Sequence, residues 1–342
     1  MDEVKLIVGG ATLNRFKSYS LDSDLFEAAD AFSFDVSGSD VTIDPGMIAR
    51  VQINNRPELV GIVDVVEDDD SKDGESGTVR GRDFMGLLVD HYCEEYGDVE
   101  ALQNASLKTV AERLIRDVPF INRKSVVYKD GTEKLDHPYR MVHIEPGRTV
   151  FEILSEYAAG RGFLFYAEPE GTFVFGKPKS SGAAQFSITR RNDGRGNNVM
   201  TARRTRDISE AYSRVVVFGQ CDEGNEWGAV VTSKNVRSTA TMSEFPYVKP
   251  FVTQTNLDDQ SPGLEAQRHI ERMRSKMLSL EYSVSGHSQS GRNWTCNEIC
   301  HVNDERRGVN GDYLIVRRTF ENSKENGTTT RIKLGRLGMV IA

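Results

Sequence analysis

Two stretches of the chain, far apart, are written to one plan. Residues 4–82 run from Val4 to Gly9, then Phe32 to Gly38, a Pro45–Gly46 turn into Ile48, Val51 and Ile53, then Leu59 to Val66, and close on Gly77 to Arg82. Residues 214–336 run from Arg214 to Gly219, then Tyr282 to Gly286, Trp294 to Val302, Tyr313 to Val316, and close on Gly327 to Arg336. Short β runs broken by Gly, Asp, Ser and Pro mark small antiparallel sheets or barrels. A doubled β unit constrains architecture before chemistry: two similar antiparallel β-barrels in one chain, with the search for function turned toward assembly.

Between and within these units lie helical signals. Ser106 to Val118 places Leu107, Val110, Ala111, Leu114 and Ile115 on one helical face, with Ser106 as N-cap and Pro119 as stop. Thr149 to Ala159 presents Val150, Phe151, Leu154 and Ala158 on one face, ends at Gly160–Gly162, and leads into a hairpin of Phe163–Ala167 and Thr172–Phe175. Pro262 to Leu280 is a charged amphipathic helix with one apolar stripe. The expected fold class is therefore α+β and multidomain. Residues 1–92 form the first barrel, 93–180 an α+β domain, 181–236 and 281–342 a split second barrel, and 237–280 a helical insertion. The run Val63–Val66 enters a long hairpin whose acidic residues, Glu67 to Asp70, are expected at a solvated loop tip.

Bulk charge narrows the partners. The 51 acidic residues outnumber 43 basic ones, and a net charge of -8 gives no general attraction to nucleic acid or an anionic bilayer. No apolar run reaches the roughly 20 residues of a membrane span, and the N-terminus lacks a basic-then-apolar leader, so no membrane anchoring and a cytoplasmic site of synthesis are expected. The four cysteines, Cys93, Cys221, Cys296 and Cys300, are scattered and read as free thiols.

Candidate chemistry is sparse. Cys296, Cys300 and His301, with His287 upstream, invite a metal, but if Trp294–Val302 is a strand the two thiols stand roughly 13 Å apart at about 3.3 Å per residue, too far to share a zinc. The other histidines, His91, His137, His143 and His269, form no metal-binding pair. The carboxylate groups Glu94–Glu95, Asp68–Asp70 and Asp258–Asp259 are sequence neighbours that point apart, whereas a glycosidase needs two facing one cleft. Gly160–Gly162 and Gly194–Gly196 lack the context of a phosphate loop and read as turns. Arg190, Arg191 and the run Thr201–Arg206 are the one cationic cluster, either a solvated face or a contact for an acidic neighbouring subunit. Phe32, Phe34 and Tyr282 alternate with polar residues and are expected in the core rather than on a nucleic-acid platform. No catalytic, cofactor-binding or metal-binding residue is expected.

Four motifs in order complete the reading: Gly81 to Asp90, Pro146 to Leu154 ahead of the Gly162–Phe165 hairpin, Asn197–Asn198, and Tyr212 to Gln220. With the repeat, the chain resembles the baseplate hub protein, a 43 kDa-type tail protein, of Mu-like contractile-tailed phages and prophages, related to the hub domains of type VI secretion spikes. The resemblance implies a non-enzymatic homotrimer in which two barrels per chain give a pseudo-sixfold face. It also implies a ring that joins the tail tube to the spike among other baseplate proteins, with DNA only passing through its lumen. The end at Ala342 implies a separate spike protein, and the location implied is the virion baseplate, assembled in the host bacterial cytoplasm. Alternatives are a cell-wall-degrading tail hydrolase, the hub of another contractile injection apparatus, and an oligonucleotide-binding barrel.

Overall fold

The computed structural model describes residues 2–37, 42–72, 74–93, 102–121, 126–142, 144, 147–224, 230–242, 250–255 and 262–338. Gly38, Ser39, Glu94, Glu95, His143, Pro146, Asp258 and Asp259 lie outside them, as does the side chain of Cys221.

Period-two alternation builds the first unit. In β1 (Val4–Val8) Val4, Leu6 and Val8 are buried while Lys5 and Ile7 are half-buried. Then come β2 (Ala11–Leu13), β3 (Ser18–Asp24), β4 (Ala31–Ser37), β5 (Ile48–Ile53), β6 (Arg56–Ser71) and β7 (Gly74–Asp83). Their order is β2-β1-β5-β6-β7-β4-β3, with each neighbour antiparallel. Phe32, Phe34 and Val36 point inward from β4. The acids Glu67 to Asp70 are not at a loop tip. They lie in the ladder itself, Glu67 opposite Thr78 and Asp70 opposite Glu75, because β6 and β7 extend as a two-stranded ribbon whose turn starts only after Ser71.

An α+β domain follows, with α1 (Phe84–Asp90), β8 (Gln103–Ala105), α2 (Leu107–Ile115), β9 (Val126–Tyr128), β10 (Tyr139–Met141), α3 (Val150–Gly160), β11 (Leu164–Ala167) and β12 (Phe173–Gly176). Ser106 caps α2 by accepting from Thr109 N, and Thr149 with Glu152 forms a reciprocal capping box on α3. The helices pack on the β11-β12-β9 sheet around Val110, Leu154, Phe173 and Phe175, a core separate from that of the first unit.

The remaining elements are β13 (Phe186–Arg190), β14 (Val199–Arg206), β15 (Arg214–Gly224), β16 (Val230–Thr241), β17 (Pro250–Thr255), α4 (Pro262–Met277), β18 (Leu278–Ser285), the short pair β19 (Ser288–Gln289) and β20 (Arg292–Asn293), β21 (Ile299–Asp304), β22 (Val309–Ser323) and β23 (Gly327–Gly335). The order β13-β21-β22-β23-β18-β14 repeats β1-β5-β6-β7-β4-β3. Even the bulge recurs, between Val63 and Val65 in β6 and between Ile315 and Arg317 in β22. The copies differ at one strand, since β13 runs parallel to β21 whereas β1 runs antiparallel to β5.

Two expectations change. Arg214–Gly219 is not the counterpart of Val4–Gly9: it opens β15, which pairs with β16 and β17 in a sheet of its own, backed by α4 through Val215, Val217, Ile270 and Met273. Val215, Val216 and Val217 are buried in succession, unlike the one-sided β1, so the likeness was strand propensity without shared register. The split in the second unit therefore opens after β14 rather than at residue 237. The units are also not two separate barrels. β22 pairs with β21 over Val309–Leu314 and, farther along the same edge, with β3 over Arg317–Asn322. The result is one 13-stranded sheet over one shared core, and among the described residues neither unit closes on itself by strand pairing. The fold is mostly β, multidomain, with few helices.

Candidate assembly interface

The seam between β3 and β22 is where the two copies meet, and it combines an apolar pair with charge. Leu21 and Phe320 face each other and are both buried. Beside them Arg317 grips Asp22 with two hydrogen bonds, one of 3.1 Å from Nε, and Thr319 Oγ1 donates to Asp22 at 2.6 Å. Asp24 adds a longer ion pair to Arg317 at 3.9 Å. This outer layer is partly solvated, so its electrostatic worth is small.

A second layer is buried. Arg318 donates through Nη2 to Glu58 Oε2 at 2.6 Å, with 4% and 7% of the two side chains exposed, and its guanidinium lies 4.0 Å from the centre of the Phe320 ring. Asn293 donates to Glu58 Oε1 at 2.7 Å and to Ile53 O at 2.9 Å, which ties β20 to the first unit. Burial pushes the Glu58 carboxyl up, and the Arg318 charge and the Asn293 hydrogen bond pull it back. Among the described residues Nε and Nη1 of Arg318 have no hydrogen-bond partner. Half-buried Asp30 and buried Asp83 lie together nearby, both carboxyls raised by burial, with Asp83 raised further by Asp30 while it caps α1 through Met85 N. These groups line a cleft of about 760 Å³. Sequence reading missed Glu58, Asp30 and Asp83, because a lone acid beside apolar residues carries no spacing signal.

The expected candidates are placed as follows. His287 is fully buried, with Nε2 2.8 Å from the Tyr19 hydroxyl and Nδ1 3.1 Å from Thr330 Oγ1, while its backbone N–H reaches Asp2 at 2.7 Å. Burial, helped by Arg318, lowers its pKa to about 4 against the pull of Asp2. It knits the units together as a neutral ring. Cys296 does not lie in a strand: β21 begins only at Ile299, and the Cys296 thiol donates to Ser23 O at 3.3 Å across the seam. Cys300 is buried within β21, and His301 pairs with Asp312 at 2.7 Å on the facing strand. Among the described residues no group of three His, Cys, Asp or Glu is arranged to hold a metal. Gly194 and Gly196 sit in a turn at positive φ. Arg191 is paired with Asp193 and Glu305, whereas Thr201–Arg206 forms most of β14, the edge strand of the large sheet. Among the described residues, no helix is long and apolar enough to cross a membrane.

Comparison with known proteins accords with this architecture. Residues 3–83 match the family described as Mu phage baseplate assembly protein GpP-like, N-terminal, and residues 273–339 match the family described as tail protein, C-terminal domain. No curated protein matches the sequence. The tail protein from Neisseria meningitidis MC58 is similar over 99% of this chain and 98% of that one, with TM-score 0.85 and 22% identity. The 43 kDa tail protein of prophage MuSo2 from Shewanella oneidensis is similar over 99% of both chains, with TM-score 0.83 and 20% identity. The E. coli c3393 protein, a type VI secretion component described as similar to bacteriophage T4 gp27 and gp5, is similar over 99% of this chain and 78% of that one, with TM-score 0.61 and 12% identity. The N-terminal match covers the whole first unit, and the C-terminal match covers β18 to β23, the second unit without its strands β13 and β14. The chain thus carries a region matching a Mu-like baseplate-assembly domain at one end and a region matching a tail-protein domain at the other.

Proposed function

We propose that the protein is a structural, non-enzymatic subunit of a contractile tail, the hub of its baseplate. Three copies form a ring that joins the tail tube to the spike, contacts other baseplate proteins, and leaves a channel through which DNA passes. The observation that carries this reading is the repeat: one strand order used twice and joined edge to edge, so that each chain offers two like units side by side. Each unit, wrapped around its share of the core, is read as a barrel-like half of that face. Three such pairs around an axis give a threefold object a nearly sixfold surface, the geometry needed where a sixfold tube meets a threefold spike. The likeness to a type VI secretion component over 78% of its length favours, as a second reading, the hub of a related injection apparatus. The particle, assembled in the host cytoplasm, is the proposed location.

The buried acids support a structural role. Glu58 is held by Arg318 and Asn293, and Asp83 caps a helix, so neither is poised as a free acid or base of a wall hydrolase. Light scattering on the purified chain at micromolar concentration tests the ring: the expected mass is three times 38.2 kDa. A stable single-chain mass would sink the hub reading.

A further inference from the structure

The repeat lets one seam be used to find another. Within the chain, β3 of the first unit pairs with the far half of β22 in the second. By strand order the equivalent of β3 is β14, and the equivalent of β22 is β6. Both equivalents are open. β14 pairs with β18 and, among the described residues, no strand lies on its other edge. β6 pairs with β5 over Arg56–Ile62, and beyond that point, among the described residues, no strand pairs with the same edge over Asp64–Ser71, where β22 receives β3. Unpaired edges of this length invite a partner strand.

Register follows from the shared bulge and shared neighbours. Leu21 sits opposite Phe32 and Arg204 opposite Leu280, and Phe32 and Leu280 face the equivalent residues Gly81 and Leu334, so Leu21 corresponds to Arg204. Counting from the bulges, Phe320 corresponds to Asp68. Since Leu21 faces Phe320 inside the chain, the same geometry repeated between chains sets Arg204 opposite Asp68 of the next copy, and Arg203 opposite Asp69.

Charge points the same way. The first unit is acidic on both seam strands, with Asp22 and Asp24 on β3 and Glu67 to Asp70 on β6; the second is basic on both, with Arg317 and Arg318 on β22 and Arg203, Arg204 and Arg206 on β14. Among the described residues Arg203 and Arg206 have no ion-pair partner, and Asp68 and Asp70 are exposed with none. Arg204 donates only to the backbone carbonyl of Arg307. Opposite charges across strands attract and like charges directly opposite repel. Two β14 edges, or two β6 edges, therefore reject one another, and only β14 against β6 is favoured.

We infer that β14 of one copy adds antiparallel to the Val65–Asp70 edge of β6 in the next copy, with Arg203 and Arg204 against Asp69 and Asp68. The inference rests on the ring reading and supplies its interface. First and second units would then alternate around the ring, each junction setting an acidic strand against a basic one. The interface is heterologous, as a ring of three requires.

The test uses the full chain and two charge reversals, R203E/R204E/R206E and D68K/D69K/D70K, with a third chain that carries both. Light scattering should give three chains' mass for the wild type, one chain's mass for either reversal with an unchanged far-ultraviolet circular dichroism spectrum, and three chains' mass again for the combined chain. A register check that does not depend on charge is the pair Arg203→Cys with Asp69→Cys, which should yield a covalent ladder on a non-reducing gel. Reversals that keep the wild-type mass, or cysteines that give no ladder, overturn the seam while the ring stands. A wild-type mass other than three chains that still collapses on reversal refutes the ring size and retains the seam. A single-chain wild type refutes both.

Discussion

Removing Glu58 alone should cost more than removing Glu58 and Arg318 together. Both side chains are more than nine-tenths buried, and Arg318 already leaves Nε and Nη1 without hydrogen bonds. Glu58→Leu would take away the carboxylate hydrogen-bonded to Arg318 and leave the guanidinium buried beside Phe320, at a cost of about 3–5 kcal/mol. Adding Arg318→Met removes the stranded charge and leaves an apolar pair of similar volume. What remains is the lost acceptor of Asn293, worth about 1 kcal/mol. The double variant should therefore recover most of the loss, with a coupling of about 3 kcal/mol in a double-mutant cycle. Trp294 is a suitable reporter, since it is buried in the shared core and stacks on Phe186 at 4.6 Å next to Asn293. Urea unfolding followed by its fluorescence, with Trp227 replaced by Phe in every chain, gives the four stabilities. A loss under about 1 kcal/mol for Glu58→Leu, or a double variant as costly as the sum of the singles, would refute the idea that this pair is held against its desolvation.

Other outcomes are as definite. Arg317→Ala, which removes the outer and half-exposed partner of Asp22, should cost less than about 1 kcal/mol in the same melts. His287 titrates near 4 in the fold against an ordinary 6.5, so the stability it supports is complete above pH 6.5 and falls by about 3 kcal/mol as pH drops toward 4. The Asp30–Asp83 pair, raised by burial, works in the opposite sense and loses stability as pH rises above its unfolded range, so the effect is read as the difference between wild type and His287→Gln; a difference that stays constant from pH 7 to 4.5 would contradict the assignment. Burial pushes the Cys296 thiol up to about 12 and the Cys300 thiol higher still, so at pH 8 the half-buried Cys296 should react far more slowly than an open thiol and the buried Cys300 only once urea unfolds the core, as counted in a Cys93→Ser/Cys221→Ser chain. Gly61→Ala should lower stability sharply, because a Cβ there would lie 1.8 Å from Arg82 O on the adjoining strand, and the loss would appear as a shifted urea midpoint.

Much of the fold was legible where local chemistry decides structure. Ser106 caps the helix it is expected to cap, the helix expected from Thr149 begins there, and the Phe163–Phe175 hairpin forms, because caps and turns depend on neighbours in sequence. Phe32, Phe34 and Tyr282 face the core because strand alternation has a period of two. The reading failed where the partner was distant. Arg214–Gly219 looked like the opening strand of the second unit, but propensity does not name the strand it pairs with. The acids at Glu67–Asp70 looked like a loop tip, since four charges in a row are usually solvated. They instead continue a ribbon whose second strand supplies the hydrogen bonds.

The sequence by itself determined that the chain is rich in β strands with a few helices between them, since that statement needs only periodicity, caps and turn chemistry. Tertiary structure alone decided that the units share one sheet through β3 and β22, that Glu58 meets Arg318, and that β6 and β14 are left with open, oppositely charged edges. Strand pairing and ion pairing are contacts between residues up to about three hundred positions apart, and no local preference along a chain specifies which distant edge will meet which.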